Sequence, residues 1–155
     1  MQQSVTTPSE DDLERLAKQV LFVYELAQRK YEATLNGTVA DLPALQRLLK
    51  DKAFAPSQTW ELQSLGLAFG SVLCTSTGLD WVTVEDEYGR DPALAYAETS
   101  LLLFPLTMIS KRIESGEAVN LRELHDKIVD QVGELQVKLS EGAIGPAKKP
   151  RWRFW

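Results

Sequence analysis

The chain has 155 residues, a formal charge of −5 and 44% hydrophobic residues, which is enough to bury a core in one domain without metal or disulfide support. A single cysteine, Cys74, excludes an intramolecular disulfide and favours a reducing, cytoplasmic location. No apolar run approaches the length of a bilayer span and the first residues lack a secretory-signal pattern, so we expect no membrane insertion.

The N-terminal part of the chain predicts two helices. Ser9 is placed to cap a first helix, whose apolar stripe runs from Leu13 to about Leu35 at steps of three and four residues. The Asn-Gly pair at 36–37 is expected to end this helix. Asp41 is expected to cap a short second helix.

Residues 60–74 predict a third helix that packs closely against another element. Gly66 and Gly70 lie on the same helical face as Leu62 and Phe69. Each glycine costs about 1 kcal/mol against alanine inside a helix, so we infer that the helix backbone approaches a neighbouring element. The same spacing is typical of membrane helix dimers, but this run is too short to span a bilayer.

A small antiparallel sheet of two or three strands is predicted after the third helix. Gly78 is expected to cap that helix, and the β-branched segment 81–84 follows as a first strand. A tight reversal is expected at 88–92. A returning strand is expected at 94–96, and the apolar run 101–104 predicts a strand buried on both sides.

Two further helices complete the predicted fold. Pro105 suits the first turn of a fourth helix that stops at Gly116. Asn120 and Glu123 have the spacing of a capping box, and the stripe that follows them is the cleanest amphipathic pattern in the chain. We therefore predict an α+β fold with about five helices, with the sheet inserted between the third and fourth helices, and with residues 1–142 as one domain.

Three segments also resemble a bacterial family known as domain of unknown function 3806. They are 65–70 (LGLAFG), 81–91 (WVTVEDEYGRD) and 101–114 (LLLFPLTMISKRIE). The resemblance covers roughly residues 45–132 and implies an α+β fold. It implies no substrate and no catalytic residues.

The end of the first predicted strand and the reversal that follows it are rich in carboxylates, namely Glu85, Asp86, Glu87 and Asp91. Carboxylate oxygens are the ligands that Mg²⁺ and Ca²⁺ prefer. Strand alternation would send Glu85 and Glu87 to one face and Asp86 to the other, and the calcium-loop pattern is missing. The alternative is a solvated hairpin whose charge opposes edge-to-edge aggregation, with Arg90 as a partner of the acidic residues.

Other candidates for chemistry lack partners in the sequence. His125 is the single histidine, and we expect it to be a half-exposed structural residue of the last helix. A Cys74–His125 pair would supply a nucleophile and a base, but the two residues lie far apart in sequence. Arg90, Lys111 and Arg112 would suit an anion, but no glycine-rich phosphate loop precedes a helix, so we interpret them as surface charges or partners of the acidic hairpin. We predict no catalytic residues, no metal and no cofactor.

The C-terminal segment 143–155 differs from the rest of the chain because it is basic and aromatic. It ends in Arg151, Trp152, Arg153, Phe154 and Trp155. Arginines that alternate with aromatic residues can stack on nucleic-acid bases or lie at a membrane surface. The acidic body opposes both through long-range repulsion. We expect this tail to dock on an apolar groove of the same chain or of a second copy.

Together these patterns favour a non-catalytic binding protein. An exposed acidic hairpin suits a basic protein partner, because complementary charge accelerates encounter and sets specificity. The predicted binding residues of the hairpin are Glu85, Asp86, Glu87, Arg90 and Asp91. We expect an immunity- or antitoxin-type protein that binds a toxin, with no nucleic-acid or membrane partner. Two alternatives stay open, a carboxylate-dependent metal enzyme and a homodimeric scaffold.

Overall fold

A computed structural model of the chain describes residues 3–96 and 101–140. The helices are α1 (Glu10–Tyr31), α2 (Leu42–Lys50), α3 (Thr59–Thr77), α4 (Pro105–Met108), α5 (Ser110–Glu114) and α6 (Leu121–Ser140). The strands are β1 (Ser4–Thr6), β2 (Asp80–Asp86), β3 (Gly89–Ala95) and β4 (Leu102–Leu103). Only Ile109 separates α4 from α5, so this pair fills the place of the predicted fourth helix. The predicted α+β fold with about five helices is confirmed.

The strands form one antiparallel sheet in the order β1-β2-β3-β4. β2 and β3 pair along their full length, and β1 pairs with residues 83–85 of β2. The sheet therefore takes one strand from before α1. The prediction of two or three strands, all between the third and fourth helices, was wrong in this respect. β1 has only three residues, all of them exposed, which is too short a segment for an alternating pattern to mark it as a strand.

The reversal between β2 and β3 lies earlier than the predicted 88–92. Glu87 and Tyr88 form a two-residue turn, and the residues from Gly89 through Pro92 belong to β3. Gly89 has a φ of 140°, which a residue with a side chain rarely adopts. The glycine and proline that suggested a turn thus serve the strand that follows it.

The β3–β4 end of the sheet is buried on both faces. Leu94 pairs with Leu103, and Ala95 pairs with Leu102. The first pair belongs to the main core and the second to a smaller cluster that includes Val84. The predicted two-sided burial of the apolar run at 101–104 is therefore confirmed.

The main core surrounds α3, which crosses α4 at close range. A side chain at Gly66 would overlap the backbone carbonyl oxygen of Pro105. A Cβ at Gly70 would lie 2.7 Å from the Pro105 Cβ and 2.8 Å from Cη2 of Trp81. The inference that the two glycines permit a close backbone approach is confirmed.

The start of α1 agrees with the prediction and its end does not. Ser9 and Asp12 form a capping box, with Asp12 N–H donating to Ser9 Oγ at 3.1 Å and Ser9 N–H donating to Asp12 Oδ2 at 2.9 Å. The helix stops at Tyr31 because Glu32 takes the left-handed conformation, with φ of 55°. The apolar stripe that continues to Leu35 is therefore carried by a loop.

Asp41 does not cap α2, contrary to the prediction. Its carboxylate accepts the backbone N–H groups of Asn36 at 2.9 Å and of Gly37 at 2.7 Å. This buried side chain thus stabilises the loop after α1. The other predicted caps are confirmed, since Gly78 ends α3 with φ of 76° and Asn120 Oδ1 accepts the N–H of the third residue of α6 at 3.1 Å. Within the described ranges, no helix is both long enough and apolar enough to cross a membrane.

Candidate functional site

A polar junction joins the β2–β3 hairpin to the first turn of α1. Arg90 donates from Nε to Asp12 Oδ1 at 3.0 Å and from Nη2 to Asp12 Oδ2 at 2.7 Å. Thr83 Oγ1 donates to the same carboxylate at 2.9 Å, and Arg90 Nη1 donates to Glu85 Oε2 at 3.3 Å. Paired bonds between a guanidinium and a carboxylate fix orientation as well as distance. The hairpin is therefore anchored to the helix.

The hydrogen bonds of this junction also shift the pKa values of Asp12 and Arg90. The bond from Arg90 is the largest cause that holds the pKa of Asp12 far below its ordinary value of 3.8, and the backbone N–H of Ser9 is the next. The same bond raises the pKa of Arg90. Arg90, predicted as part of a binding site, is thus engaged by carboxylates of its own chain.

The predicted acidic cluster divides into two parts. Glu85 contacts Arg90, whereas Asp86 and Glu87 lie at the end of the hairpin. Asp86 Oδ1 accepts the backbone N–H of Tyr88 at 2.8 Å, a side-chain bond that fixes the turn. Because Glu87 is a turn residue and β2 ends at Asp86, strand alternation does not apply to it. The alternation argument for a shared face of Glu85 and Glu87 therefore does not hold.

Tyr88 is the most exposed large hydrophobic side chain of the described residues, with 89% of its surface accessible. It follows Glu87 in the turn, and Asp91 lies on the returning strand. Partial desolvation and then the charge of Asp86 raise the pKa of Asp91. We refer to residues 86–88 as the hairpin tip. The tip thus combines an exposed aromatic ring with carboxylates on an anchored support.

The carboxylates of the hairpin do not converge on a common point. Among the described residues, no three or more His, Cys, Asp or Glu side chains come together as metal ligands do. Glu85 faces Arg90, and Asp86 is bonded to the turn backbone. The described residues therefore offer no cluster of metal ligands that would support the alternative of a metal-dependent enzyme.

A contact that the sequence did not indicate links α3 to α6. Ser76 Oγ lies 2.8 Å from His125 Nε2, and His125 Nδ1 lies 2.8 Å from Asp126 Oδ1. The order of hydroxyl, imidazole and carboxylate is that of a serine-hydrolase triad. Ser76 and His125 are separated by 49 residues, so helix packing alone brings them together.

The surroundings of Ser76 differ from those of a catalytic nucleophile. Ser76 lies in the last turn of α3, where the negative end of the helix dipole disfavours a developing oxyanion. Nearby backbone donors are occupied, since Gly78 N–H donates to Cys74 O at 2.9 Å and Leu79 N–H donates to Thr77 Oγ1 at 3.2 Å. No oxyanion hole is therefore formed by these groups.

His125 is buried, with only 5% of its surface accessible, and the expectation of a half-exposed residue was wrong. It lies on the face of α6 that carries Leu121 and Ile128, both buried, whereas Leu124 is only partly buried. Its bond to Asp126 points outward, since 59% of the Asp126 side chain is accessible. We interpret the three residues as a polar link between helices.

The thiol of Cys74 is bonded to a backbone carbonyl group rather than to His125. Its Sγ–H donates to Leu79 O at 2.7 Å, and burial followed by the charge of Asp80 raises the pKa of the thiol. The thiolate is the nucleophilic form of cysteine, so this environment disfavours nucleophilic chemistry. Both ring nitrogens of His125 are engaged by Ser76 and Asp126. The structure therefore does not form the nucleophile–base pair of Cys74 and His125 that the sequence analysis considered.

The remaining predicted site residues fall in two places. Lys111 and Arg112 belong to α5, where Arg112 Nη1 donates to Met108 O at 2.7 Å. The tail residues lie outside the described part of the chain, and these are Arg151, Trp152, Arg153, Phe154 and Trp155.

The described fold is similar to a solved structure. A crystal structure of a protein from Bacteroides thetaiotaomicron VPI-5482, determined at 1.50 Å resolution, matches with a TM-score of 0.77 and 16% sequence identity. The match covers 84% of this chain and 48% of the other, so this chain spans about half the length of that structure. At this identity the likeness concerns the fold alone. No protein among the curated sequences matches this chain.

A family model provides the second comparison. The model of a domain of unknown function, DUF3806, matches residues 41–125. This interval begins just before α2, ends at the buried histidine of α6 and contains α3, the hairpin and β4. It includes all three segments in which the sequence resembled this family. The chain therefore belongs to the DUF3806 family of domains of unknown function.

Proposed function

We propose that the protein is a non-catalytic binding module that holds a basic protein partner at the hairpin tip. The observation that carries this proposal is the 89% exposure of Tyr88 beside carboxylates on an anchored hairpin. Tyrosine is enriched among the residues that dominate binding energies at interfaces. Residues 80–91 carry five carboxylates and one guanidinium, a formal charge of −4, and that guanidinium is occupied by Asp12 and Glu85.

The anchoring of the hairpin favours recognition. A binding element that is already ordered loses less conformational freedom when its partner arrives. Arg90 fixes the hairpin to α1, and the Asp86 side chain fixes the turn at Tyr88. Opposite charge on the partner would raise the association rate, most strongly at low salt.

An immunity- or antitoxin-type role against a basic toxin is the specific form of this proposal. The small size of the chain and its formal charge of −5 support that role. The support comes from size and charge, since no sequence motif specifies a toxin.

The test is a comparison of two charge reversals with the same effect on net charge. Glu87→Lys changes the hairpin tip, and Glu123→Lys changes an exposed position on the first turn of α6. A basic protein captured from source cells on immobilised wild type is then measured against each variant by surface plasmon resonance. We expect Glu87→Lys to slow association strongly at low salt and less at high salt, whereas Glu123→Lys has little effect.

Tyr88→Ala separates the role of the ring from that of charge. We expect this variant to raise the dissociation rate, because loss of an interface anchor typically costs about 2 kcal/mol or more. Equal binding of the captured protein by wild type, Glu87→Lys and Tyr88→Ala would contradict the proposal.

A hydrolytic role is the second candidate, favoured by the two 2.8 Å contacts in Ser76–His125–Asp126. The position of Ser76 at the carbonyl end of α3 opposes it. The binding role is therefore the better supported of the two.

A further inference from the structure

An apolar groove lies between α2, the loop that follows it, the start of α3 and the segment after α5. Its volume is about 500 Å³, within the range of roughly 300–1,000 Å³ that is usual for small-molecule sites. Its described lining shares no residue with the hairpin. The apolar walls come from Leu49, Phe54, Pro56, Ile113 and Val119.

Hydrogen bonds and ring contacts hold the walls of this groove in place. Gln46 Nε2 donates to Val119 O at 3.0 Å, and Gln46 Oε1 accepts the N–H of Leu121 at 2.7 Å. These bonds tie α2 to the segment that precedes α6. Phe54 packs against Phe22 of α1 with ring centroids 5.9 Å apart. The groove is therefore formed before any ligand enters.

Two lysines give the groove a basic rim. Lys50 and Lys52 line it, and within the described residues neither has a carboxylate within 4.0 Å. The intervening Asp51 is occupied, since it accepts Tyr31 O–H at 2.7 Å and lies 3.8 Å from Arg47 Nε. No carboxylate of the described residues thus competes with an anionic ligand for the two ammonium groups.

Lys52 holds a backbone conformation that favours glycine, with φ of 52°. It occupies the residue after the C-cap of α2 in a Schellman motif. Its N–H donates to Leu49 O at 3.1 Å, and Ala53 N–H donates to Leu48 O at 3.0 Å. A lysine at this strained position is consistent with a function for its side chain.

We propose that this groove binds an amphipathic anion with an aliphatic chain and a carboxylate. The chain would lie along the apolar walls, and the carboxylate would accept hydrogen bonds from Lys50 and Lys52. Among the described lining residues, Glu117 is the one charged residue besides these lysines, so this lining is net positive in a chain of formal charge −5. This contrast argues for an anion rather than for a neutral ligand.

The primary test measures binding of decanoate to the full chain by isothermal titration calorimetry, with decan-1-ol as the uncharged match. We expect decanoate to bind wild type more tightly than decan-1-ol. Because charge-assisted hydrogen bonds are the strong ones, the double variant Lys50→Gln/Lys52→Gln should bind decanoate about tenfold more weakly. Its affinity for decan-1-ol should not change.

Ala118 provides a matched pair of variants at one exposed lining position. Ala118→Lys should strengthen decanoate binding, and Ala118→Glu should weaken it, because the charge beside the anion changes sign. Glu117→Gln should also strengthen binding. Glu87→Lys at the hairpin tip should leave decanoate binding unchanged, which separates this site from the proposed protein-binding site.

Lys52→Gly tests the strained backbone. We expect it to raise the melting temperature, since glycine adopts this conformation without strain, and to weaken decanoate binding. Glu32→Gly is its control, because Glu32 ends α1 with φ of 55° and is not part of the lining. It should raise the melting temperature and leave binding unchanged.

Three results would overturn the proposal directly. These are no decanoate binding, equal affinity for decan-1-ol, or equal decanoate affinity for the lysine double variant. Two others would assign the groove to a different occupant. A wild-type dimer on size exclusion that Ala118→Glu dissociates would assign it to a second copy. Amide NMR shifts at residues 151–155 in Ala118→Glu would assign it to the C-terminal segment.

Discussion

Among single residues, Asp12 connects two parts of the structure with one carboxylate. It completes the capping box of α1 with Ser9, and it binds Arg90 and Thr83 of the hairpin. The sequence predicted Ser9 as the cap of α1 but did not predict the return bond to Asp12, which the structure shows. The contact with the hairpin depends on tertiary packing, since Arg90 is 78 residues away, and no local pattern carries it.

The ionised form of Asp12 makes stability depend on pH. Its folded pKa lies below the ordinary value of 3.8, so the unfolded chain binds more protons in acid. The stabilisation is complete above the unfolded pKa and is lost as pH falls below it, from about pH 5 downward. We expect wild type to lose melting temperature more steeply than Asp12→Asn when it is titrated from about pH 6 to pH 2.5.

Asp91 supplies a control of opposite sign for this titration. Its raised pKa means that protonation in acid relieves a penalty that the charged form carries at neutral pH. Asp91→Asn should therefore raise the melting temperature at neutral pH. Parallel pH profiles of wild type and Asp12→Asn would contradict the role given to Asp12.

Gly66 and Gly70 set the closest approach in the core. Gly66→Ala and Gly70→Ala should each destabilise the protein by about 1–3 kcal/mol, because overpacking forces the backbone of α4 or the Trp81 ring to move. Gly133→Ala on α6 is the matched control, since an added Cβ there meets nothing within 4 Å. It should stabilise by about 0.5–1 kcal/mol. Denaturant titrations of the three variants measure these changes in the free energy of unfolding. Equal changes for Gly66→Ala and Gly133→Ala would contradict the close approach of α3 to α4.

At the scale of elements, the periodic patterns and the caps at Ser9, Gly78 and Asn120 were predicted, as was the antiparallel return from β2 to β3. The cap at Asp41 and the pairing of β1 with β2 were not. The stripe of α6 was visible in the sequence because this helix presents one buried face to the core, whereas the core surrounds the middle of α3. β1 is a strand only because β2 lies beside it, so its three exposed residues give no local signal. The burial of His125 was open to prediction, because it shares a face with Leu121 and Ile128.

The Ser76–His125 contact is expected to stabilise the packing of α3 on α6 and to have no catalytic role. Ser76→Ala should destabilise the protein by about 1 kcal/mol, the usual net contribution of one hydrogen bond, or somewhat more if the His125 ring is left unpaired. Hydrolysis of p-nitrophenyl acetate by wild type and Ser76→Ala should be equal. A loss of hydrolysis in the folded variant, with a burst phase in wild type, would establish the hydrolytic alternative.

For the whole molecule, β1 covers one edge of the sheet. Without it, residues 83–85 of β2 would present unpaired backbone groups, and such edges promote aggregation. A chain that lacks residues 1–6 should melt at lower temperature and form larger species on size exclusion. A chain that lacks only residues 1–2 is the control and should behave as wild type. Monomeric behaviour of both would mean that the edge needs no cover.

The groove and the hairpin tip share no described lining residue, so one small domain offers two separate surfaces. The carboxylates and turn residues of the hairpin made it a candidate site in the sequence. The groove could not be predicted from the sequence, because Leu49, Phe54 and Val119 come from segments that only the fold brings together. In the sequence, Lys50 and Lys52 have no feature that distinguishes them from other surface lysines, and only the structure places them beside apolar walls.

The bond between Asp12 and Arg90 also bears on the order in which the chain folds. It joins residues 78 positions apart, whereas the β2–β3 hairpin and the helices close over short stretches of sequence. Contacts of long sequence separation carry the larger loop-closure entropy, so they are expected to form late. The start of α1 would then attach to a sheet that already exists. Loss of this bond should speed unfolding more than it slows refolding.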